Sequence, residues 1–455
     1  MTESNAVPVP DPEQGRRLVD LERQHVLYSW SVQSAVNPIP FAGGQGSYLW
    51  DYDGKRYLDF SSQLVFTNLG HQHPKLVAAI ASQAATLSTI GPTHTVKPRA
   101  EAAAAIAGLF GGSHEKVFFT NGGADANENA IRMARLVTGR NKVLSAYRSY
   151  HGNTAASIMA TGDQRRWPNE YAMGHARFFG PFPYRSPFWS TTPEEESARA
   201  LEHLEQVIAF EGPPTIAAIL LESVIGSSGA IPPPPGYLQG VRNLCDKYGI
   251  VYISDEVMVG FGRTGKWFGF EHGLRESKPD LITFAKGVNS GYVPLGGVVI
   301  RNEISAYFDD RYFPGGLTYS GHPLACAAAV ANIAIFKEEK VIENAQLIGD
   351  TVLGPGLREL AERHPSVGDA RGLGMFWALE LVTNRETKEP MAPYGGSSPA
   401  MAGVAGAARA NGLLVFIVGH RLSITPPLNL SESEARQGLA LLDGVLDIAD
   451  EYATA

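Results

Sequence analysis

Cysteine is scarce: the 455 residues hold two, Cys245 and Cys326. Two thiols cannot make a disulfide framework, and neither stands in a metal-ligand spacing. In the run Val241-Arg242-Asn243-Leu244-Cys245 the thiol takes the place of a small buried hydrophobe. Blocks of like charge are missing, and the balance is acidic, −8 from 38 Lys+Arg against 46 Asp+Glu. That argues against nucleic acid or an anionic membrane as partner. No apolar run reaches the ~18 residues that a bilayer crossing needs. Met1-Thr2-Glu3-Ser4-Asn5 offers neither a basic start nor an apolar core, so no signal peptide is expected and the expected setting is cytoplasmic. Internal repeats are absent. What remains, 44% hydrophobic and 18% charged residues, is the composition of an ordinary globular protein. The length calls for a large and a small domain.

Residues 1 to about 16 are polar and punctuated by proline, and read as a loose arm. Asp53-Gly54, between Ser47-Tyr48-Leu49-Trp50 and Arg56-Tyr57-Leu58-Asp59, predicts a hairpin. From about 76 to 330, strands expected at 116–120, 142–146, 216–222, 250–254, 281–285 and 297–300 alternate with helices. Those helices are expected at 98–110, 124–136, 237–248 and 323–336. Buried β-branched runs between amphipathic helices imply an α/β unit with a mostly parallel sheet covered on both faces. Ligands bind beyond the carboxyl ends of such strands. Residues 331–455 read as a small α+β unit, with Ser431-Glu432-Ser433-Glu434 spaced as a capping box ahead of Leu439, Leu442 and Leu446. The Gly/Ala/Ser/Pro-rich stretch from Pro390 to Gly412 predicts a loop followed by a helix.

Three expected strands end in charge: Glu222, Asp255 and, 31 residues after Asp255, Lys286. A lysine at a buried strand end needs a partner, and an Asp–Lys ion pair capping the sheet is the plain explanation. A Schiff-base lysine and the partner of a pyridinium nitrogen, gripping pyridoxal phosphate between them, accounts for more of the surrounding sequence. Asn121-Gly122-Gly123-Ala124 follows one strand and opens a helix with apolar Ala126, Ala130, Met133, Ala134 and Val137, so its N–H groups form an anion site or merely a tight turn. Tyr150-His151-Gly152 follows the next strand. Its tyrosine suits stacking on a flat heteroaromatic ring, while a half-exposed aromatic and a structural histidine are the plain alternatives.

Beyond these residues, the run Asp255-Glu256-Val257-Met258-Val259-Gly260-Phe261-Gly262-Arg263-Thr264-Gly265, followed by Lys278-Pro279-Asp280, Lys286-Gly287 and Gly291, resembles the signature of class III pyridoxal-phosphate-dependent aminotransferases. Leu58-Asp59 through Leu69-Gly70-His71-Gln72-His73-Pro74, then Thr318-Tyr319-Ser320-Gly321-His322-Pro323 and Arg371-Gly372-Leu373-Gly374, resemble the family's outer blocks. The resemblance implies a type I PLP-dependent transferase fold: a large domain over 76–330, and a small domain built from 1–75 and 331–455. It further implies a homodimer with shared active sites, working by ping-pong on a small-molecule amine and a keto acid. By position, Lys286 is the Schiff-base lysine and Asp255 the pyridinium partner. Tyr150 and Val257 flank the ring, and Glu222 lies in the cofactor site. The backbone at Gly123 and Ala124 holds the phosphate, joined by Thr318 from the neighbouring subunit. Trp30 and Val65 fall where pocket-lining residues of related enzymes occur.

The chain departs from the family's usual pattern in three places. Gly122 and Ala124 stand where serines flank the phosphate-site glycine. Glu222 is followed by Ser223-Val224-Ile225-Gly226, so Ile225 replaces a glutamine and the role of Glu222 is open. Phe416 stands where many ω-amino acid:pyruvate enzymes carry a mobile arginine, and Arg421 is a substitute for binding carboxylate or sulfonate, or else a surface residue. The expected activity is transfer from an ω-amino acid or amine, of taurine or β-alanine type, to a keto acid, with pyruvate the expected acceptor. The alternatives are a 2-oxoglutarate-dependent enzyme of the class, an aminomutase or decarboxylase on the same fold, and a non-catalytic binding protein.

Overall fold

A computed structural model describes residues 9–170, 172–274 and 276–454. Its centre is a seven-stranded sheet in the order Lys116–Thr120, Gly296–Ile300, Leu281–Phe284, Val251–Asp255, Ile216–Glu222, Lys142–Ala146, His175–Phe178. Gly296–Ile300 runs antiparallel to both neighbours, and the other pairings are parallel. Every residue of Ile216–Glu222 and Val251–Asp255 is buried, as strands covered on both faces require. Each expected strand forms within a residue of its expected bounds. The edge strand His175–Phe178 adds to them; its polar start and four-residue length left no periodic signal.

Register positions the chemistry. Glu222 lies opposite Asp255, and Asp255 opposite Thr283, so three polar side chains form a row where the strands end. Lys286 follows three residues later, in a short 3₁₀ turn, with φ +45. The left-handed region is costly for a side-chain-bearing residue and is retained where the surroundings enforce it. Gly287 supplies part of that enforcement, because a Cβ there would stand 2.4 Å from Asn68 Nδ2.

The N-terminal and C-terminal thirds share a second sheet: Phe41–Gln45, Tyr48–Asp51, Arg56–Asp59 and, parallel to the last, Leu413–Leu414. Its Asp53-Gly54 hairpin forms as expected, with Gly54 at φ +82 and the Asp51 carboxylate accepting from the Asp53 and Lys55 N–H groups at 3.0 and 2.9 Å. A third, C-terminal sheet carries Val367–Leu373, Phe376–Asn384, Arg421–Ile424 and Phe416–Val418. The capping box closes as predicted: Ser431 accepts from the Glu434 N–H, and Glu434 accepts from the Ser431 N–H at 2.8 Å. A helix, Pro399–Ala410, follows the Gly/Ser/Pro-rich loop.

The loose arm is corrected. Residues 1–8 lie outside the described residues, but Pro12–His25 is a helix. Asp11 caps it by accepting from the Gln14 N–H at 3.0 Å, and Pro12 occupies the first position, where a missing N–H costs nothing.

Arg263 joins the parts. It is fully buried and donates to the carbonyls of Met375 (3.1 Å) and Pro426 (2.5 Å) and to Asn68 Oδ1 (2.8 Å). Burial draws its pKa down to about 9, with Asp59 opposing. One guanidinium thus ties the C-terminal strands to Asn68, the residue packed against Gly287.

Candidate active site

Gly123, Ala124, Tyr150, Glu222, Asp255, Val257 and Lys286 all line one cavity of about 150 Å³. A second opening of about 240 Å³ shares Gly123, Val257 and Lys286 and runs past Gly291 and Leu295. Lys286 is reached from both. The helix Gly123–Thr138 begins at the cavity, with Gly122 as its N-cap. A Cβ at Gly123 would stand 2.7 Å from Val257 Cγ1, so glycine lets the helix start approach this wall. Ala124 carries no hydroxyl, which leaves backbone N–H groups and the helix dipole as the anion-binding elements.

Asp255 is held on three sides. Oδ2 accepts from Asn127 Nδ2 and His151 Nδ1, each at 2.7 Å, and Oδ1 accepts from the Val257 N–H at 3.0 Å. A carboxylate oxygen has two lone pairs, so Oδ1 keeps one for a further donor. Asn127 is oriented in turn by donating to the His151 carbonyl at 2.8 Å and by accepting from Thr283 Oγ1 at 2.8 Å. Among the described residues Asp255 pairs with His151 and forms no ion pair with Lys286, so the frame and not the lysine holds the carboxylate.

No sequence signal marks Asn127, and His151 reads as a structural histidine. Both brace Asp255. Strand-end spacing alone does not reveal them, because one comes from a helix and the other from a loop. His151 Nε2 is buried without a hydrogen-bond partner among the described residues.

Glu222 accepts from the Tyr150 N–H at 2.9 Å and the Gly226 N–H at 2.8 Å. Burial raises its pKa, His151 opposes, and Asp255 adds to the rise. Lys286 moves the other way: burial lowers its amine to about 8, against the attraction of Glu222 and Asp255. Desolvation disfavours both charges, and a share of Lys286 is uncharged near neutral pH. Ile225 turns away from this cavity and bridges to Ile231.

Four further candidates, Trp30, Val65, Thr318 and Arg421, are outside the lining. Trp30 is 65% exposed and meets the Tyr150 ring edge-on at 6.5 Å. Thr318 is exposed on this chain. Arg421 lies behind Gly229, whose Cβ would stand 2.8 Å from the arginine Cδ. Val65 is buried instead with Val224, Ala230, Val259, Phe376 and Ala378. The sequence also missed Arg165, whose guanidinium stacks 3.5 Å from the Tyr150 ring centroid and pairs with Asp163 at 2.5 Å. It sits in a run without periodicity, so only the fold reveals its place.

A partnered carboxylate with a lone pair to spare, one amine of lowered pKa, a flat tyrosine wall and a glycine-lined helix start suit pyridoxal phosphate. The fold is the type I PLP-dependent transferase fold. The family model for aminotransferase class-III matches residues 30–446. The chain is 35% identical to putrescine–pyruvate aminotransferase of Pseudomonas aeruginosa, with 89% of each covered. It is 33% identical to taurine–pyruvate aminotransferase of Bilophila wadsworthia, with 94% of this chain and 96% of that protein covered. The solved structure of taurine:2-oxoglutarate aminotransferase from Bifidobacterium kashiwanohense, in complex with PLP and glutamate, superposes with a TM-score of 0.93 at 43% identity, covering 99% of each chain. The chain belongs to the class III aminotransferases and is a transaminase.

The lowered Lys286 pKa predicts how the cofactor is captured. If Lys286 captures the cofactor, its uncharged amine is the nucleophile, and that fraction grows as pH rises through about 8. The rate at which the cofactor-free protein gains visible absorbance after mixing with pyridoxal phosphate will therefore rise with pH and level off above that value. A rate that keeps climbing toward ~10, the ordinary lysine range, would place the amine in water instead.

Proposed function

We propose that the protein moves an amino group from an ω-amino acid or amine of taurine or β-alanine type to a keto acid, by a ping-pong mechanism, as a cytoplasmic homodimer. The observation that carries this reading is the convergence of Lys286, braced Asp255 and the Gly123 helix start on one cavity. The 43% identity over 99% of a taurine aminotransferase supports the donor class. Taurine enzymes among the relatives use pyruvate or 2-oxoglutarate, so the acceptor is a choice between a mono- and a dicarboxylate.

In this reading the N–H groups at Gly123 and Ala124 bind the phosphate, and the exposed Thr318 hydroxyl reaches the phosphate held by the neighbouring subunit. Tyr150 and Val257 pack on the ring. Bound pyridoxal phosphate supplies an electron sink for charge developing at the substrate Cα. Asp255, fixed by His151 and Asn127, holds a proton at the pyridine nitrogen. Lys286 anchors the cofactor through its amine, and after displacement by substrate carries a proton between the substrate Cα and the cofactor C4′. Glu222, which accepts from the Tyr150 and Gly226 N–H groups, holds the backbone of the Tyr150 wall and the start of the loop that carries Ser227.

The test is a half-reaction screen on the PLP-loaded protein. Taurine, β-alanine, 4-aminobutyrate, ornithine and simple aryl amines are added singly. A donor of the proposed class will bleach the visible band, and pyruvate or 2-oxoglutarate will restore it. Carbon dioxide release, or product formed without a keto acid, would replace the proposal with a decarboxylase or an aminomutase.

A further inference from the structure

The aromatic wall of the Lys286 cavity is held from outside the cavity. Tyr150 is half-buried in the loop after the strand Lys142–Ala146, and its N–H donates to Glu222 at 2.9 Å. That contact fixes the backbone and leaves the side-chain torsions free. Two neighbours close on the ring itself. Trp30 meets its edge at 6.5 Å between centroids and 83° between planes, and the Arg165 guanidinium carbon lies 3.5 Å from its centroid. So short a distance is van der Waals contact with the face, since ring atoms would stop an in-plane approach farther out. Tyr150 lines the cavity, whereas Arg165 lines neither the cavity nor the opening that shares Lys286. The guanidinium therefore covers the face turned away from the cavity and leaves the other face to the cofactor ring.

Arg165 is fixed in turn. Its edge forks onto the buried Asp163 carboxylate, Nη2 donating to Oδ2 at 2.5 Å and Nε to the two oxygens at 3.1 and 3.2 Å. Asp163 also accepts from the Arg165 N–H at 3.0 Å, as the cap of the 3₁₀ turn Gln164–Asn169. The Gly162 and Asp163 N–H groups donate to the Ser149 carbonyl at 2.9 and 3.1 Å, so the anchor hangs from the residue next to the tyrosine. Gly162 permits that approach, because a Cβ there would stand 2.1 Å from the Ala146 carbonyl oxygen. A guanidinium can bond through its edge and stack through its face at once, and an ammonium cannot. Burial is the chief cause of the lowered Lys286 amine, and Arg165 adds to it against Glu222 and Asp255, so its charge is felt inside the cavity.

We propose that Arg165 is a positioning residue of the transaminase: anchored by its edge to Asp163, it holds the Tyr150 ring flat against the bound cofactor. This deepens the transaminase reading and rests on it. The clamp weighs differently in the two forms of the cofactor. While pyridoxal phosphate is bonded to Lys286, the covalent link keeps the ring in place. In the pyridoxamine form that link is gone, and the phosphate site, Asp255 and the packed walls hold the ring alone. A tyrosine already kept in its stacking rotamer loses no further freedom at that moment. The clamp thus acts in the half of the ping-pong cycle in which the cofactor is free to leave.

The test reads cofactor release, apart from turnover. The PLP-loaded protein is converted to the pyridoxamine form with an amine donor and freed of excess ligand, and the escape of pyridoxamine phosphate is followed by its fluorescence. Arg165→Met will speed release about 3- to 30-fold, the equivalent of a lost cation–aromatic contact, and will leave the visible band of the PLP-loaded protein in place. Arg165→Lys, which keeps the charge and loses the flat face, will recover less than half of the change; full recovery would overturn the flat-face clamp. Asp163→Asn, which keeps a cap and frees the guanidinium edge, will also speed release, and an unchanged rate there would overturn the anchor. The deciding comparison is with Tyr150→Leu, in which Arg165→Met will alter release by less than about 2-fold, because both changes remove one interaction. An equal change in both backgrounds would assign Arg165 to its own loop and overturn the proposal, as would no change with Tyr150 present. If no donor converts the wild type, it is the transaminase reading that fails, and the clamp is then read from the release of pyridoxamine phosphate supplied directly.

Discussion

Lys286→Ala will lower the rate of transamination by at least about 10²- to 10⁴-fold, the range that a positioned acid–base group contributes. Lys286 is the one amine among the residues lining the cavity, and two openings converge on it. Its backbone is held at φ +45, so the strand end delivers the side chain into the cavity at a conformational cost. Its pKa is lowered to about 8, chiefly by burial, which suits an amine that gives and takes protons near neutral pH. The variant will still bind pyridoxal phosphate, because the Gly123 helix start, Asp255 and Tyr150 are untouched. It will lack the visible band of the lysine-linked cofactor. A small external amine, able to reach the vacated volume, will restore a measurable part of the rate. A structural role would show no such rescue, and full turnover without Lys286 would remove it from the mechanism.

The elements that place Lys286 were legible because their signals are local. Strands such as Ile216–Glu222 are apolar runs ended by a charge, and the Asp53-Gly54 hairpin and the Ser431 capping box follow short-range rules. The N-terminal helix carries its own signal, Asp11 before Pro12, inside a polar, proline-punctuated stretch that reads as a loose arm. What stayed hidden is tertiary. Asn127 lies on a helix face that reads simply as apolar alanines with polar neighbours, and only the sheet register brings it to Asp255. Arg148 and Arg421 are 273 positions apart in sequence, and that neither has an ion pair among the described residues appears only in the fold, where Glu380 is occupied by Arg185 and Arg371. Pairwise charge compensation is a property of the folded chain, so no spacing rule could announce it.

Asp255→Asn is the second large effect, a fall in kcat of about 10²- to 10³-fold. The carboxylate accepts on both oxygens: Oδ2 from Asn127 and His151, Oδ1 from the Val257 N–H. An amide has one accepting end. Whichever way it turns, its NH₂ faces a donor, and at least one buried N–H loses its partner at about 1–3 kcal/mol. The negative charge is lost as well, and with it the means of holding a proton at the cofactor's pyridine nitrogen. These two losses can be separated. Asp255→Ala loaded with a cofactor methylated at that nitrogen carries the positive charge permanently and has no need of the carboxylate. If Asp255 acts through that charge, the methylated cofactor will restore a substantial part of the rate to the variant and none to Lys286→Ala. If it serves only to brace His151, Asn127 and Val257, methylation will restore nothing. The same comparison shows whether the frame around Asp255 serves the carboxylate or the carboxylate serves the frame.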